Sequence, residues 1–315
     1  YEDIEGVGHR VVQGGEAYTK SVKINDKVVK KIEELSDLAP LHNPANLIGI
    51  NTFREILPNV INVAVFDNAF HSTMKEEAFL YGTPYEWYTS YQIRKYGFHG
   101  TSHQYVSSRA AFLLKKRKSN IIVCHLGNGA SLCAVKNGVS IDTSMGLTPL
   151  EGFPMGTRSG NIDPAIIDYI ATKEHKTVSE VLNILNKKSG YVGISGISND
   201  ARDLEKASKE GNKRASLAFD IQVKRIVDYI GSYYLYLGGL DAICFTAGIG
   251  ENSSLIRKMI VDRLKVLKVE IDDNLNSKRG EELLISTPKS KVKVFVIPTN
   301  EEVMIARDVY KIGKR

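Results

Sequence analysis

An α/β fold of two domains, with ligand sites at the carboxyl ends of its strands, is what the sequence predicts. Three observations carry this. Helix and strand signals alternate along the whole chain, as they do in α/β proteins. Polar or glycine-rich clusters follow directly on apolar, strand-like runs, and in an open α/β sheet ligands bind beyond the carboxyl ends of the strands. A length of 315 residues, at about 150 residues per domain, accommodates two domains.

Asn43-Pro44 ahead of residues 45–57 reads as an N-cap, a proline at the first helical position and a helix body. Residues 60–66 (VINVAVF) are β-branched and apolar, so they predict a buried strand that delivers Asp67 to its carboxyl end. A second strand is expected over 120–124, running into His125-Leu126-Gly127-Asn128-Gly129. Residues 130–136 then alternate, Asn137-Gly138 supplies a two-residue turn suited to type I′, and residues 139–143 return. Together these predict three consecutive strands. Asp163-Pro164 caps one later helix, and Thr177-Val178-Ser179-Glu180 forms a capping box for another. Residues 213–237 have helical periodicity and a largely apolar face, which suits a core or an interface. Residues 242–245 predict a buried strand ending in Thr246-Ala247-Gly248-Ile249-Gly250-Glu251-Asn252. Residues 292–297 predict a last strand, ahead of Pro298-Thr299-Asn300-Glu301-Glu302 and a terminal helix.

Composition narrows the class. With 43% hydrophobic and 25% charged residues, the chain is neither disordered, collagen-like nor a disulfide-knotted mini-protein. Lys and Arg total 42 against 36 Asp and Glu, a formal charge of +6. Small phosphorylated anions explain that excess as well as nucleic acid does, and no basic stripe supports the latter. Lys115-Lys116-Arg117-Lys118 reads as a solvated helix end. Cys124, Cys133 and Cys244 lie in apolar runs without Cys-x-x-Cys spacing, so they read as reduced core thiols of a cytosolic protein. No apolar stretch approaches the roughly 18–20 residues of a membrane span, and nothing resembles a signal peptide. A soluble, cytoplasmic protein is expected. The chain opens Tyr1-Glu2-Asp3 with no initiating Met, which reads as a fragment of a longer protein.

Glycines at strand ends remove Cβ atoms and let main-chain N–H groups approach phosphate oxygens. Two such turns in one chain, 125–129 and 248–252, point to a nucleotide. Arg10 (in GHRVVQGG, 8–15) and Arg158 (in MGTRSG, 155–160) stand among glycines, unlike arginines on a solvated helix face. A guanidinium is a permanently charged fork that matches carboxylate or phosphate. His99 and His103 have the spacing of a zinc pair on a helix, but Gly100 and a cap at Thr101 or Ser102 are expected to break the helix between them. A histidine that hydrogen-bonds a transferring phosphoryl group is the better reading. His42 suits a loop or a site, and His71 and His175 read as structural.

Nine segments taken together resemble the acetate kinase family, in the family's order and over nearly the whole chain. They are HRVVQGGE (9–16), LAPLHNPAN (38–46), VFDNAFH (65–71), KYGFHGTSH (95–103), CHLGNGAS (124–131), DTSMGLTPLEGFPMGTRSGNIDP (142–164), NDARD (199–203), FTAGIGEN (245–252) and IPTNEEVMIARD (297–308). The resemblance implies two RNase H-like domains of the actin, heat-shock chaperone and sugar kinase type, with a cleft between them. Residues 1–68 with about 303–315 would form a partial N-terminal acetate kinase domain, and residues 69–302 the C-terminal nucleotide-binding domain. The activity implied is reversible, Mg²⁺-dependent transfer of the γ-phosphoryl group of ATP to acetate, giving acetyl phosphate for acetyl-CoA synthesis, with Mn²⁺ as an alternative metal. Catalytic roles fall by motif match on Arg10, Asp67, His99 and Arg158. Arg10 would hold acetate, and Val12, Leu41, Phe98 and Pro149 would wall its methyl group, with His42 beside them. ATP would lie on His125, Leu126, Gly127, Asn128 and Gly129, on Asp200, Ala201 and Arg202, and on Gly248, Ile249, Gly250, Glu251 and Asn252. Glu301 would ligate Mg²⁺. Acetate, with a carboxyl pKa of about 4, is already ionised at neutral pH. Asp67 is therefore better employed orienting Arg10 or a magnesium-bound water than as a general base. A homodimer with no nucleic-acid or membrane partner is expected.

An apolar pocket discriminates one methylene by only about 1–3 kcal/mol, so acetate with slower use of propionate is expected. A propionate or butyrate kinase is the nearest alternative. A chaperone-like ATP-driven binding protein would leave the paired arginines and the apolar quartet without a purpose. Gln13 stands where the family commonly has His, a change expected to alter the hydrogen bonding of Arg10. The family's opening strand and Gly/Ser-rich phosphate loop have no counterpart here. The 315-residue chain alone is therefore expected to turn over poorly in a coupled assay with ATP, Mg²⁺ and acetate; turnover typical of an intact kinase contradicts this.

Overall fold

The computed structural model describes residues 3–314; the outermost residues of the expected domain ranges, 1–2 and 315, lie outside the described residues. The strands gather into two sheets. One contains β1 (Gly6–Val11), β2 (Val22–Lys23) and β3 (Ile61–Phe66) in the order β1-β3-β2. The other contains β4 (Asn120–Leu126), β5 (Ala130–Lys136), β6 (Val139–Thr143), β7 (Ala242–Thr246), β8 (Leu283–Leu284) and β9 (Lys293–Val296) in the order β6-β5-β4-β7-β9-β8.

In the larger sheet β4, β7 and β9 run parallel and form its centre. Their near-continuous apolar runs suit strands covered on both faces. The side-chain period of two sorts them: Ile121 and Val123 face a cluster with Val106 and Ala110 of the helix Gly100–Leu113. Ile122, Cys124 and Leu126 face the opposite cluster, which contains Phe219, Val223, Ile226 and Ile230 of the helix Lys213–Leu237. That long segment is therefore a core helix. All three cysteines are buried free thiols.

The Asn-Gly hairpin forms as read, with Asn137 at φ 53° and Gly138 at φ 81°, the positive values a type I′ turn demands. The capping box at Thr177 also forms. Three local expectations are corrected. The helix Asn43–Ile56 starts at Asn43 with His42 in the N-cap position and no side-chain cap bond, because the Asn43 side chain is buried and instead accepts from Gln13 N and donates to Gln13 O. β4 extends past Cys124 through His125 and Leu126, since pairing with β5 and β7 continues there. No break separates His99 from His103: His99, left-handed at φ 56°, is the N-cap, the helix starts at Gly100, and His103 N donates to His99 O.

Parallel pairing decides where the loops go. β4, β7 and β9 end at one edge, so residues 127–129, 247–252 and 297–301 emerge together. β1 and β3 are also parallel, in register Arg10↔Val65 and Val11↔Phe66, which brings Arg10 and Asp67 to one end. The helix Glu301–Gly313 leaves the end of the larger sheet and packs on β1, with Ile305 and Val309 over Gly8. It thereby ties the two sheets together.

Gly190 starts the helix Gly190–Ser195 at φ +57°, where a Cβ would run into Met155 O and lie 2.7 Å from Arg158 O. We expect Gly190→Ala to lower unfolding free energy by roughly 2–4 kcal/mol, measured as a shifted urea midpoint at unchanged m-value.

Candidate active site

Arg10 and Asp67 meet in a bidentate ion pair, with Nε to Oδ1 and Nη2 to Oδ2 both at 2.8 Å. Asp67 is 3% exposed and Arg10 is 48% exposed, so the carboxylate anchors a guanidinium that still faces outward. Burial pushes the Asp67 carboxyl up and the Arg10 hydrogen bonds oppose it, while Arg10 is held even more firmly protonated than usual. Gln13 does not reach this pair; its Oε1 accepts from Gly15 N at 2.9 Å. That corrects the expectation that residue 13 alters the bonding of Arg10.

Arg158 approaches from the loop between β6 and the helix Ala165–Glu174. Its Nη1 donates to Pro149 O at 3.2 Å and lies 3.1 Å from where a Cβ on Gly129 would be, so the bare glycine admits the guanidinium. Burial lowers its pKa, and no carboxylate among the described residues neutralises it.

His99 lies within the electrostatic reach of both arginines. Its pKa falls well below 6.5, first through burial and then through His125, His103, Arg10 and Arg158, so the ring is neutral. It stacks on His125 at 4.0 Å between centroids. Its Nδ1 contacts Ser131 Oγ at 2.9 Å, and His103 Nε2 contacts the same oxygen at 2.8 Å. His125 Nδ1 is 2.8 Å from Ser102 Oγ, which in turn meets Thr299 Oγ1 at 2.8 Å. The pKa of His42, left open by the sequence, is lowered first by burial and then by Arg158, and the ring lies within electrostatic reach of Asp67 and Arg10 as well. His71 is structural, held between Ser140 Oγ and Phe98 O; His175 ends the helix Ala165–Glu174.

Glu301 opens the last helix close enough to feel Arg10 and Asp67, and burial raises its pKa. Its Oε1 is enclosed and has no hydrogen-bond partner, which is what a carboxylate awaiting a cation presents. Among the described residues no group of three His, Cys, Asp or Glu side chains is placed to hold a metal ion. Magnesium, which keeps waters and takes phosphate oxygens alongside one or two carboxylates, suits such a sparse protein contribution.

A cavity of about 990 Å³ opens beside this centre, lined among others by Gly127, Asn128, Asp200, Arg202, Gly248 and Asn252. Ala201 and Ile249 also reach it. His125, Leu126, Gly129, Gly250 and Glu251 do not line it. His125 and Leu126 are strand residues, Gly129 lies against Arg158, Gly250 is buried, and the Glu251 carboxylate is occupied by Ala247 N and Thr299 N. Of the expected apolar wall, Phe98 is buried and Val12 and Pro149 are half-buried, but Leu41 is 70% exposed. Sequence reasoning missed Lys206, Lys209 and Arg279 on the cavity, and Ser102, Ser131 and the role of His103 behind His99. Lys206 and Lys209 carry a usable signal, lying one and two turns into the helix that Asp200 caps.

Comparison with known proteins shows the family of the chain. Residues 1–307 match the model of the Acetokinase family. The chain is 65% identical over 314 residues to an acetate kinase of Acholeplasma laidlawii, covering 100% of this chain and 80% of that one. It is 62% identical over 315 residues to an acetate kinase of a Geobacillus species, covering 99% and 79%. Among solved structures, acetate kinase from Porphyromonas gingivalis superposes with a TM-score of 0.95 at 46% identity, covering 99% of this chain and 79% of that one. A propionate kinase from Francisella tularensis superposes with a TM-score of 0.95 at 48% identity, covering 99% and 80%. The chain spans about four-fifths of the length of these relatives. The expected two-domain α/β class holds.

Below the 6.5 of a free imidazole, unfolding lets buried neutral histidines take up protons. His71 is lowered to about 4 and His125 to about 3, and His99 and His103 shift the same way. The unfolded state then binds more protons, so stability falls with falling pH. We expect unfolding free energy to drop between about pH 6.5 and 4, by up to about 1.4 kcal/mol per pH unit for each histidine, as read from urea titrations.

Proposed function

Because the chain belongs to the acetokinase family of phosphotransferases with a carboxyl acceptor, we propose that it moves the γ-phosphoryl group of ATP reversibly onto acetate, in one in-line step. What supports this reading is that a neutral His99 lies within electrostatic reach of both Arg10 and Arg158, which come from distant stretches of chain.

Phosphoryl transfer spreads charge over three equatorial oxygens and asks the protein mainly for positioning and electrostatic stabilisation. Arg10, oriented by Asp67, receives the acetate carboxylate, which needs no base because it is already ionised. Arg158 compensates charge on the transferring group, and its partly desolvated state strengthens that interaction. His99 supplies a neutral N–H donor. Phe98, Val12 and Pro149 offer the apolar surface for the methyl group, and the cavity between residues 127–128, 200–209 and 248–253 takes the nucleotide. Glu301, with Asp67 nearby, would hold Mg²⁺, and the ion would neutralise phosphate charge. In the domain division that goes with this reading, Arg10, His42 and Asp67 come from residues 1–68, and His99, Arg158 and Glu301 from 69–302.

The similarity to a propionate kinase gives a second acceptor some standing. A ratio of kcat/KM across acetate, propionate and butyrate decides between them, with acetate expected to lead by about 10-fold or more over propionate. His99→Ala and Arg158→Ala are expected to lower kcat on the order of 100-fold or more. Arg10→Ala should in addition raise the KM for acetate, and Glu301→Gln the Mg²⁺ concentration needed for half-maximal rate. Unchanged kinetics in the arginine and histidine variants, in a folded protein, refute this assignment.

A further inference from the structure

We propose that Ser131 and His103 are positioning residues which hold His99 in the tautomer that carries its proton on Nε2, facing the cleft. The inference rests on the kinase reading only for its consequence, since the hydrogen-bond chain itself is independent of the reaction.

The argument is one of proton counting. Ser131 Oγ is shared by two rings, lying 2.9 Å from His99 Nδ1 and 2.8 Å from His103 Nε2. A hydroxyl can accept from two donors, but Ser131 Oγ is buried and contacts no other group among the described residues, so its single proton has only these rings to go to: it donates to one and accepts from the other. Both rings are kept neutral, chiefly by burial and then by neighbouring histidines, with the arginines adding to this at His99, so each carries one N–H. Two arrangements remain. In the first, His103 Nε2–H donates to Ser131 and Ser131 O–H donates to His99 Nδ1, which leaves the His99 proton on Nε2. In the second, all three protons move to the opposite sides, His103 carries its proton on Nδ1, and His99 Nε2 presents only a lone pair.

His103 decides between them. Its Nδ1 is enclosed and has no partner. The second arrangement would strand an N–H there, and orphaned buried N–H groups are among the least tolerated features of a protein interior. The first leaves only a bare ring nitrogen. The preference passes through Ser131 to His99. His99 Nε2 makes no hydrogen bond within the described residues and is not among the enclosed atoms, so it is open to the cleft. Stacking on His125 at 4.0 Å keeps the ring from turning over. Ser131 and His103 are themselves fully buried, on β5 and the helix Gly100–Leu113. They touch no substrate and act through His99. A lone pair at Nε2 would repel a phosphoryl oxygen, whereas an N–H donates to it; the wrong tautomer thus removes the donor without moving the ring.

Long-range ¹H–¹⁵N spectra of the histidine-labelled chain test this, because protonated and bare ring nitrogens resonate far apart. His99→Gln assigns the His99 signals. The expected result near neutral pH is a proton on Nε2 in both His99 and His103. A His99 protonated on Nδ1 overturns the proposal, and this holds even if the Ser131 variants do not fold. Ser131→Ala should mix the His99 tautomers and lower kcat roughly 10- to 100-fold with acetate KM within about twofold. Ser131→Thr, which keeps the hydroxyl, should restore both. A His99 tautomer unchanged in Ser131→Ala refutes the relay whatever the rate. A turnover that His99→Ala leaves unchanged, with the tautomers as expected, refutes the kinase reading instead.

Discussion

Asp67 is the residue on which the two halves of the site are hung. Its N–H continues the β1–β3 ladder to Val11 O at 2.9 Å, and its carboxylate grips Arg10 twice. Its carbonyl accepts from Gly100 N at 2.8 Å, the first residue of the helix that His99 caps. One buried residue thus sets the guanidinium and the imidazole relative to each other. Close packing at Gly100 preserves the arrangement, because a side chain there would collide with that same carbonyl.

Charge and neutrality are segregated around this point. The cations are arginines, which stay protonated in any protein environment, and the imidazoles are buried beside them where a second positive charge is disfavoured. The outcome is a concave surface with permanent positive charge and neutral donors, suited to a polyanion whose charge redistributes without gaining protons. The hydroxyls of Ser131 and Ser102 supply the buried histidines with partners and so offset part of the cost of their burial.

Legibility differs between features for physical reasons. The Asn-Gly hairpin, the Thr177 capping box and the helix Lys213–Leu237 were readable because each is set by neighbours within a few residues. Arg10, Arg158 and His99 stood out because a charged or polar residue among glycines is unusual for a structural surface. The Asn43 cap was misread because its side chain has a partner 30 positions away. Likewise, the β4 boundary moved because pairing with β5 and β7 outweighed the local glycine signal, and the Leu41 exposure reflects packing that no local pattern encodes.

By itself, the amino-acid order determined the alternation of elements, the placement of glycine-rich turns after apolar strands and the identity of the charged groups. These follow from periodicity and from turn and cap chemistry, which act over short stretches of chain. Only the tertiary structure decided which groups meet. The Arg10–Asp67 pair closes 57 residues, the His99–Ser131 contact 32 and the Ser102–Thr299 contact 197. Strand pairing within the two sheets, parallel for β1–β3 and for β4–β7–β9 and antiparallel for β5, is what brings them together. Its register arises from burying two faces of a sheet at once rather than from any local preference.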